Sequence, residues 1–216
     1  MKNPLIAVAL MSCTACGSSG FSTPIDSLFV SPDAQGRIPQ AQAFLGGATQ
    51  EDPVFSQTTN NGYAFDVGIA PDDGIRGWTG LIPDAAVTAQ PGGSAEMSGG
   101  FNVAWAEIIS ASSNNVRTSS VQRDRGTVAL VADFDAGTLR GARVPRNIRT
   151  PTGILPENEL RVPGQFAGEA LTGTVTYNGV TGPLEGIIGG NEAVGVFHGT
   201  SRQFVHAGGF IVNPDD

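Results

Sequence analysis

Beyond residue 81 the apolar and polar residues alternate with a period of two. In TVALVADFD, Val128, Leu130, Ala132 and Phe134 fall on one side, and Thr127, Ala129, Val131 and Asp133 on the other. That is the pattern of a β-strand with one buried face. Asp135-Ala136-Gly137 then turns the chain into TLRGARV. LTGTVTY sets Leu171, Gly173, Val175 and Tyr177 against Thr172, Thr174 and Thr176, and Asn178-Gly179 follows. Asn-Gly is a strong hairpin signal because both central residues of a type I′ turn take positive φ. VTGPLEGII, the turn Gly189-Gly190-Asn191, EAVGVFHGT and QFVHAGGFIV continue the series. A short run at Ala85–Thr88 and a long one, AEMSGGFNVAWAEII, precede it. About eight strands are predicted between residues 84 and 213, with no helix among them. An eight-stranded antiparallel meander can close on itself and so lose its exposed edges. The predicted fold class is therefore all-β: an eight-stranded antiparallel up-and-down β-barrel over residues 81–216 with an irregular N-terminal extension.

The N-terminal third has no such rhythm. Residues 17 to about 80 carry scattered apolar residues among Pro, Gly, Ser, Asn and Gln, and a short element is predicted only around Gly62–Val67. Met1-Lys2-Asn3 forms a positive n-region, and Pro4–Leu10 is an apolar run far below the roughly 20 residues that span a bilayer. Leu10-Met11-Ser12-Cys13 resembles a bacterial lipobox, and GSSGFSTP beyond it has the composition of a tether. The resemblance makes Cys13 the lipidated N-terminus of the mature protein. Cys16, preceded by Ala15, is the competing site, and an ordinary signal peptide followed by a Cys13–Cys16 disulfide is the alternative. A redox CxxC is disfavoured, because lowering a thiol pKa needs a helix N-terminus and a folded surround. The chain is divided into a lipoprotein signal peptide (1–12), a tether with an irregular region (13–80) and a barrel (81–216).

GTVALVADFDAGTLRGARV is similar to the strand–turn–strand motif in the barrel domains of the transferrin-binding protein B family. That motif runs apolar strand, Asp-Phe, short Gly-containing turn, then a strand with an internal glycine. LTGTVTYNGVTGPLEGIIGGNEAVGVFHGT resembles the closing hairpins of the same family, and the likeness covers roughly residues 84–213. Members of that family are surface lipoproteins with two lobes, each pairing a handle domain with a barrel. This chain has room for one barrel and a small N-terminal region, and the loops that recognise transferrin have no match in it. The resemblance implies a surface or outer-membrane lipoprotein whose barrel binds a host or environmental protein or a small ligand. Thr14 after Cys13, where Asp would signal inner-membrane retention, implies the outer membrane. A structural envelope lipoprotein without a discrete ligand and a haem-binding barrel are the alternatives.

Composition narrows the chemistry. The formal net charge of -8 argues against nucleic acid as a partner. Against this acidic background, Arg117, Arg123, Arg125, Arg140, Arg143, Arg146, Arg149 and Arg161 fall in one segment. In an up-and-down barrel, the connections near 110–125 and 145–167 emerge at the same end, where the N-terminal region is also expected to enter. Arg117, Arg123, Arg125, Arg146, Arg149 and Arg161 are the candidate ligand-binding residues, since clustered guanidinium groups hold carboxylate or phosphate bidentately. The competing reading pairs these arginines with Asp124, Glu157 and Glu159. His198 and His206 share a face if residue 198 opposes 204 and lie on opposite faces if it opposes 205. Only the first register suits a haem or metal between strands, and two histidines alone make a thin metal site. No GxSxG, HExxH or GxxxxGK motif occurs, so no catalytic residue and no cofactor are assigned.

Overall fold

The computed structural model describes residues 26–32, 43–44, 54–57, 61–69, 75–83, 86–112, 115–144, 149–150, 153–154 and 159–215. Cys13, Cys16 and Arg146 lie outside them, as do the side chains of Arg117 and Arg149. Among the described residues every regular element is a strand. The first nine strands are β1 (Asp26–Phe29), β2 (Ala43–Phe44), β3 (Val54–Gln57), β4 (Asn61–Ile69), β5 (Ile75–Pro83), β6 (Ser94–Ser112), β7 (Asn115–Thr118), β8 (Gln122–Asp133) and β9 (Thr138–Arg143). The remaining strands are β10 (Arg149–Thr150), β11 (Gly153–Ile154), β12 (Leu160–Ala167), β13 (Ala170–Tyr177), β14 (Val180–Ile188), β15 (Ala193–Thr200) and β16 (Phe204–Pro214).

The order β6-β8-β9-β12-β13-β14-β15-β16 closes through β16–β6 into the eight-stranded antiparallel barrel that the period-two pattern predicts. On β8, Val128, Leu130 and Ala132 are buried while Thr127, Ala129 and Val131 face out. Asn178 and Gly179 both have positive φ, 48° and 78°, as the hairpin signal requires. The interior is filled: Met97, Phe101, Leu130, Leu139, Phe197 and Phe210 belong to one buried cluster along the axis. A small barrel can be filled in this way by its own side chains.

Two strand assignments differ from the sequence pattern. Leu160–Ala167, read as part of a Pro-rich loop, is the barrel strand β12, with Leu160, Val162 and Phe166 buried. Pro163 masks this strand because it has no N–H to donate. It is accommodated where the β12–β13 ladder skips from Arg161↔Thr176 to Gly164↔Gly173, while pairing on the other side with Arg140. Conversely, residues 86–90 are not in a strand. They cross the end that carries the short turns, where Thr88 N–H donates to Asn191 Oδ1 at 2.9 Å and Gly93 N–H to Asp135 Oδ1 at 3.1 Å. One strand lost and one gained preserves the total of eight, but it reverses the entry. The N-terminal region joins the barrel at the short-turn end, opposite the connections 113–121 and 144–159.

Where the sequence signalled a single element, near Gly62–Val67, the structure has a five-stranded sheet ordered β1-β5-β4-β2, with β3 also on β4. It lies against the outer wall formed by β15, β16 and β6. Tyr63, Phe65 and Val67 pack there on Val194, Val196, Ala104, Ala106 and Ala207. The approach is close: a Cβ on Gly209 would stand 2.5 Å from the Tyr63 ring, so only glycine fits beneath it. At the short-turn end Asn61 Nδ2 donates to Glu192 Oε1 at 2.5 Å, with both residues buried. This is a polar peg between sheet and barrel.

Candidate functional site

The period of β8 sends residues 123 and 125 outward near the long-connection end of the barrel. Cross-strand pairing sets Arg125 beside Asn102 and Arg123 beside Ala104 on β6. β6 is covered by the N-terminal sheet and β8 is not, so a cleft opens along the flank of that sheet. The cleft holds about 360 Å³ and is lined by Phe65, Asn102, Val103, Arg123, Asp124 and Arg125. Asn102 is fixed in place because its Nδ2 donates to Tyr63 Oη at 3.0 Å. One wall thus comes from the barrel, bringing two guanidinium groups and an amide, and the other from the sheet, bringing a phenyl ring. Such a set can hold an anionic group in a forked hydrogen-bonded grip, with the Phe65 ring, 1% exposed, closing the wall behind it.

Asp66 neighbours this cleft in sequence and is 5% exposed. Burial raises its carboxyl from 3.8 to about 7, against smaller downward pulls from the Val67 N–H and the charge of Arg123. The N–H of Val67 donates to Asp66 Oδ1 at 2.7 Å. Phe65, Asn102 and Asp66 were not among the sequence candidates. The sheet that places them has almost no periodic signature, and Asn102 reads as one outward residue in a long strand.

Among the described side chains of the predicted set, Arg123 and Arg125 line one cleft and Arg161 does not. Arg117 sits on β7, in the hairpin that extends β6 beyond the barrel, and Arg149 on the short strand β10. Arg161 projects from β12, not from a loop, and its Nε and Nη2 both reach Glu159 Oε1 at 2.5 Å. Arg143 points into the barrel, where Nη1 donates to Asp124 Oδ2 at 2.5 Å and the guanidinium lies 5.1 Å from the Phe101 ring centroid. Tyr177 Oη donates to the same Asp124 oxygen at 3.1 Å. For Arg143 and Arg161 the intramolecular pairing is realised.

The histidines separate. His198 opposes Ala207 and Gly199 opposes His206, the register that puts the two rings on opposite faces of the wall. His198 lies under the N-terminal sheet, 4.6 Å from the Phe29 ring centroid. His206 is wholly buried in the interior among Tyr177, Phe197 and Phe204. No group set between strands meets both imidazoles. Among the described residues no cluster of His, Cys, Asp or Glu suits a metal ion.

No protein-family model matches the sequence, and no curated protein does. Solved structures with a similar fold include a surface lipoprotein at 12% identity and TM-score 0.44, covering 76% of this chain and 81% of that one. Another is the haemoglobin receptor HpuA of Kingella denitrificans, at 16% identity and TM-score 0.40, covering 71% of this chain and 55% of that one. Transferrin-binding protein B of Haemophilus parasuis, whose family the barrel motifs resemble, is a third. It is 16% identical with TM-score 0.43, covering 76% of this chain and 38% of that one. The chain thus spans little more than half the length of HpuA and well under half that of transferrin-binding protein B.

Proposed function

We propose that this chain is a lipid-anchored binding protein of the outer membrane, tethered through Cys13. Its ligand site is the cleft between the N-terminal sheet and the barrel wall, where it takes an anionic group of a protein or small molecule. The observation that carries the reading is the placement of Arg123 and Arg125 beside Phe65 and the fixed amide of Asn102. The filled interior favours a site on the outer wall over an enclosed ligand, and it is equally what a ligand-free scaffold would show. The test separates the two. Full-length protein and the double variant Arg123→Ala/Arg125→Ala are titrated with phosphate and citrate. Haemoglobin, which HpuA of Kingella denitrificans holds in its complex, and transferrin serve as protein probes. Binding to the natural chain that weakens about tenfold or more in the variant supports the cleft. Equal binding by both would place the ligand outside the cleft and overturn that part of the reading, and binding by neither favours the scaffold. Loss of membrane association and of the lipid mass in Cys13→Ala tests the anchor.

A further inference from the structure

Asn178-Gly179, which closes the β13–β14 hairpin, carries chemistry beyond its use as a turn. Both residues are exposed and both have positive φ. The Asn178 N–H donates to Glu159 O at 2.9 Å, while its side-chain amide makes no hydrogen bond among the described residues. A Cβ built on Gly179 would meet nothing within 4 Å, so the peptide link at the tip stands open to water. The chain holds the same dipeptide once more, at Asn61-Gly62, in the opposite setting. Asn61 is wholly buried with its Nδ2 on Glu192 Oε1. Gly62 is paired on both sides, with Gln57 and with Ile82.

We propose that Asn178 is a site of spontaneous covalent modification, where the folded protein converts asparagine to aspartate and isoaspartate while Asn61 stays intact. The nucleophile is the backbone nitrogen of Gly179. It gives up its proton and attacks Cγ of Asn178, the Cγ–Nδ2 bond breaks, and ammonia leaves with that proton. Glycine favours closure of the succinimide ring, because no side chain crowds the attacking nitrogen. Water then opens the ring at either carbonyl. Opening at Cγ leaves aspartate, and opening at the main-chain carbonyl leaves isoaspartate, with the chain running through Cγ. One water enters and one ammonia departs, and nothing is oxidised or reduced. Ring closure needs the backbone at 178–179 to rotate out of the turn. At the hairpin tip this disturbs the tip alone, whereas at 61–62 it lifts β4 away from both neighbours, an opening that a central strand seldom makes. The two products differ in consequence. Aspartate tolerates positive φ as asparagine does and keeps the turn. Isoaspartate adds a backbone atom between Tyr177 and Val180, whose pairing sets the hairpin register. Tyr177 is wholly buried and its Oη holds Asp124, so isoaspartate loosens the end of the barrel that carries the long connections.

For the test, full-length folded protein is aged at mildly alkaline pH, which favours the deprotonated nitrogen, then digested with pepsin in acid, which halts the reaction. Fragmentation mass spectrometry assigns each amide-to-acid mass gain to its position, and isoaspartate-specific methylation gives the isoaspartate share. Asn178 should convert about tenfold or more faster than Asn61, and the two should react at similar rates in protein aged in urea, where the fold shields neither. Asn178→Gly, which suits positive φ, should remove the gain from that peptide and unfold like the natural chain. Isoaspartate-bearing protein, separated by ion exchange, should melt below both the fresh chain and Asn178→Asp. Equal rates at the two dipeptides in the folded chain would overturn the inference. So would an Asn178 that gains nothing while the urea-aged chain converts. Isoaspartate-bearing protein that melts together with Asn178→Asp would overturn the loosening of the hairpin.

Discussion

Asp66, on the face of β4 turned away from the barrel, carries the sharpest energetic consequence of burial in the N-terminal region. Its carboxyl is 5% exposed and has its proton affinity raised from 3.8 to about 7, first of all by burial. The folded state therefore binds a proton more tightly than the unfolded chain. Stability from this group is complete below about pH 4 and is lost as pH rises towards and through 7. Three units correspond to about 4 kcal/mol across the whole range, and about 2 kcal/mol of that falls between pH ~5.5 and ~8.5. Asp66→Asn keeps an Oδ1 acceptor for the Val67 N–H and removes the ionisation. Urea unfolding of both proteins at several pH values reads the effect as a difference, in which every other titrating group cancels. Near pH 4 the two should differ little. By pH ~8.5 the Asn variant should be more stable by about 4 kcal/mol, an upper figure because the unfolded chain already buries part of its surface. A difference that does not grow with pH would refute the buried, proton-retaining carboxyl. The burial of the outer face of β4 would then need revision.

Two further outcomes follow from the same walls. His206 is pushed down from 6.5 to about 3, by burial in the barrel interior and then by the charge of His198. Stability from its neutral form is present above about pH 6.5 and is lost as pH falls towards 3. His206→Leu should therefore flatten the acid limb of the stability curve by about 3 kcal/mol at pH ~4.5, measured by thermal or urea unfolding. An unchanged acid limb would count against it. Gly209→Ala places a methyl group 2.5 Å from the Tyr63 ring and should cost about 1–3 kcal/mol. Limited proteolysis should cut residues 61–83 faster in that variant, and equal protection would show that the sheet docks elsewhere.

The barrel was legible because its signal is local. Period-two alternation, the Asn178-Gly179 turn and the glycine-containing turns need only neighbours in sequence. The errors arose where a local rule was overridden at a distance. Pro163 hid β12, since a proline in a strand is acceptable only where the partner ladder skips, and the sequence does not show which ladder that is. Ala85–Thr88 resembled a strand because Val87 is buried, yet that burial comes from capping the end of the barrel. The N-terminal sheet was least legible. β4 is buried along its length, so Tyr63, Phe65 and Val67 on one face and Ala64 and Asp66 on the other leave no polar alternation to read. The cleft inherits this difficulty: Arg123 and Arg125 could be named from the sequence, but Phe65 and Asn102 could not be placed beside them.

The reversal of chain entry bears directly on function. Had residues 85–88 formed the first barrel strand, the N-terminal region would have met the barrel among the arginine-bearing connections. With entry at the short-turn end, the linker is fastened there through Thr88 and Gly93, and the sheet climbs the β15–β16–β6 wall from below. That wall can accept a second layer because its outward residues include Ala104, Ala106, Ala207 and Gly209, which let backbones approach closely. Next to it, β8 carries Arg123 and Arg125 outward, and two long cationic side chains there stop the layer from spreading further round the barrel. The flank of the sheet therefore ends against guanidinium groups, and a cleft results. The same residues that bound the covered wall, Arg123 and Arg125, are the ones the proposed function assigns to the ligand.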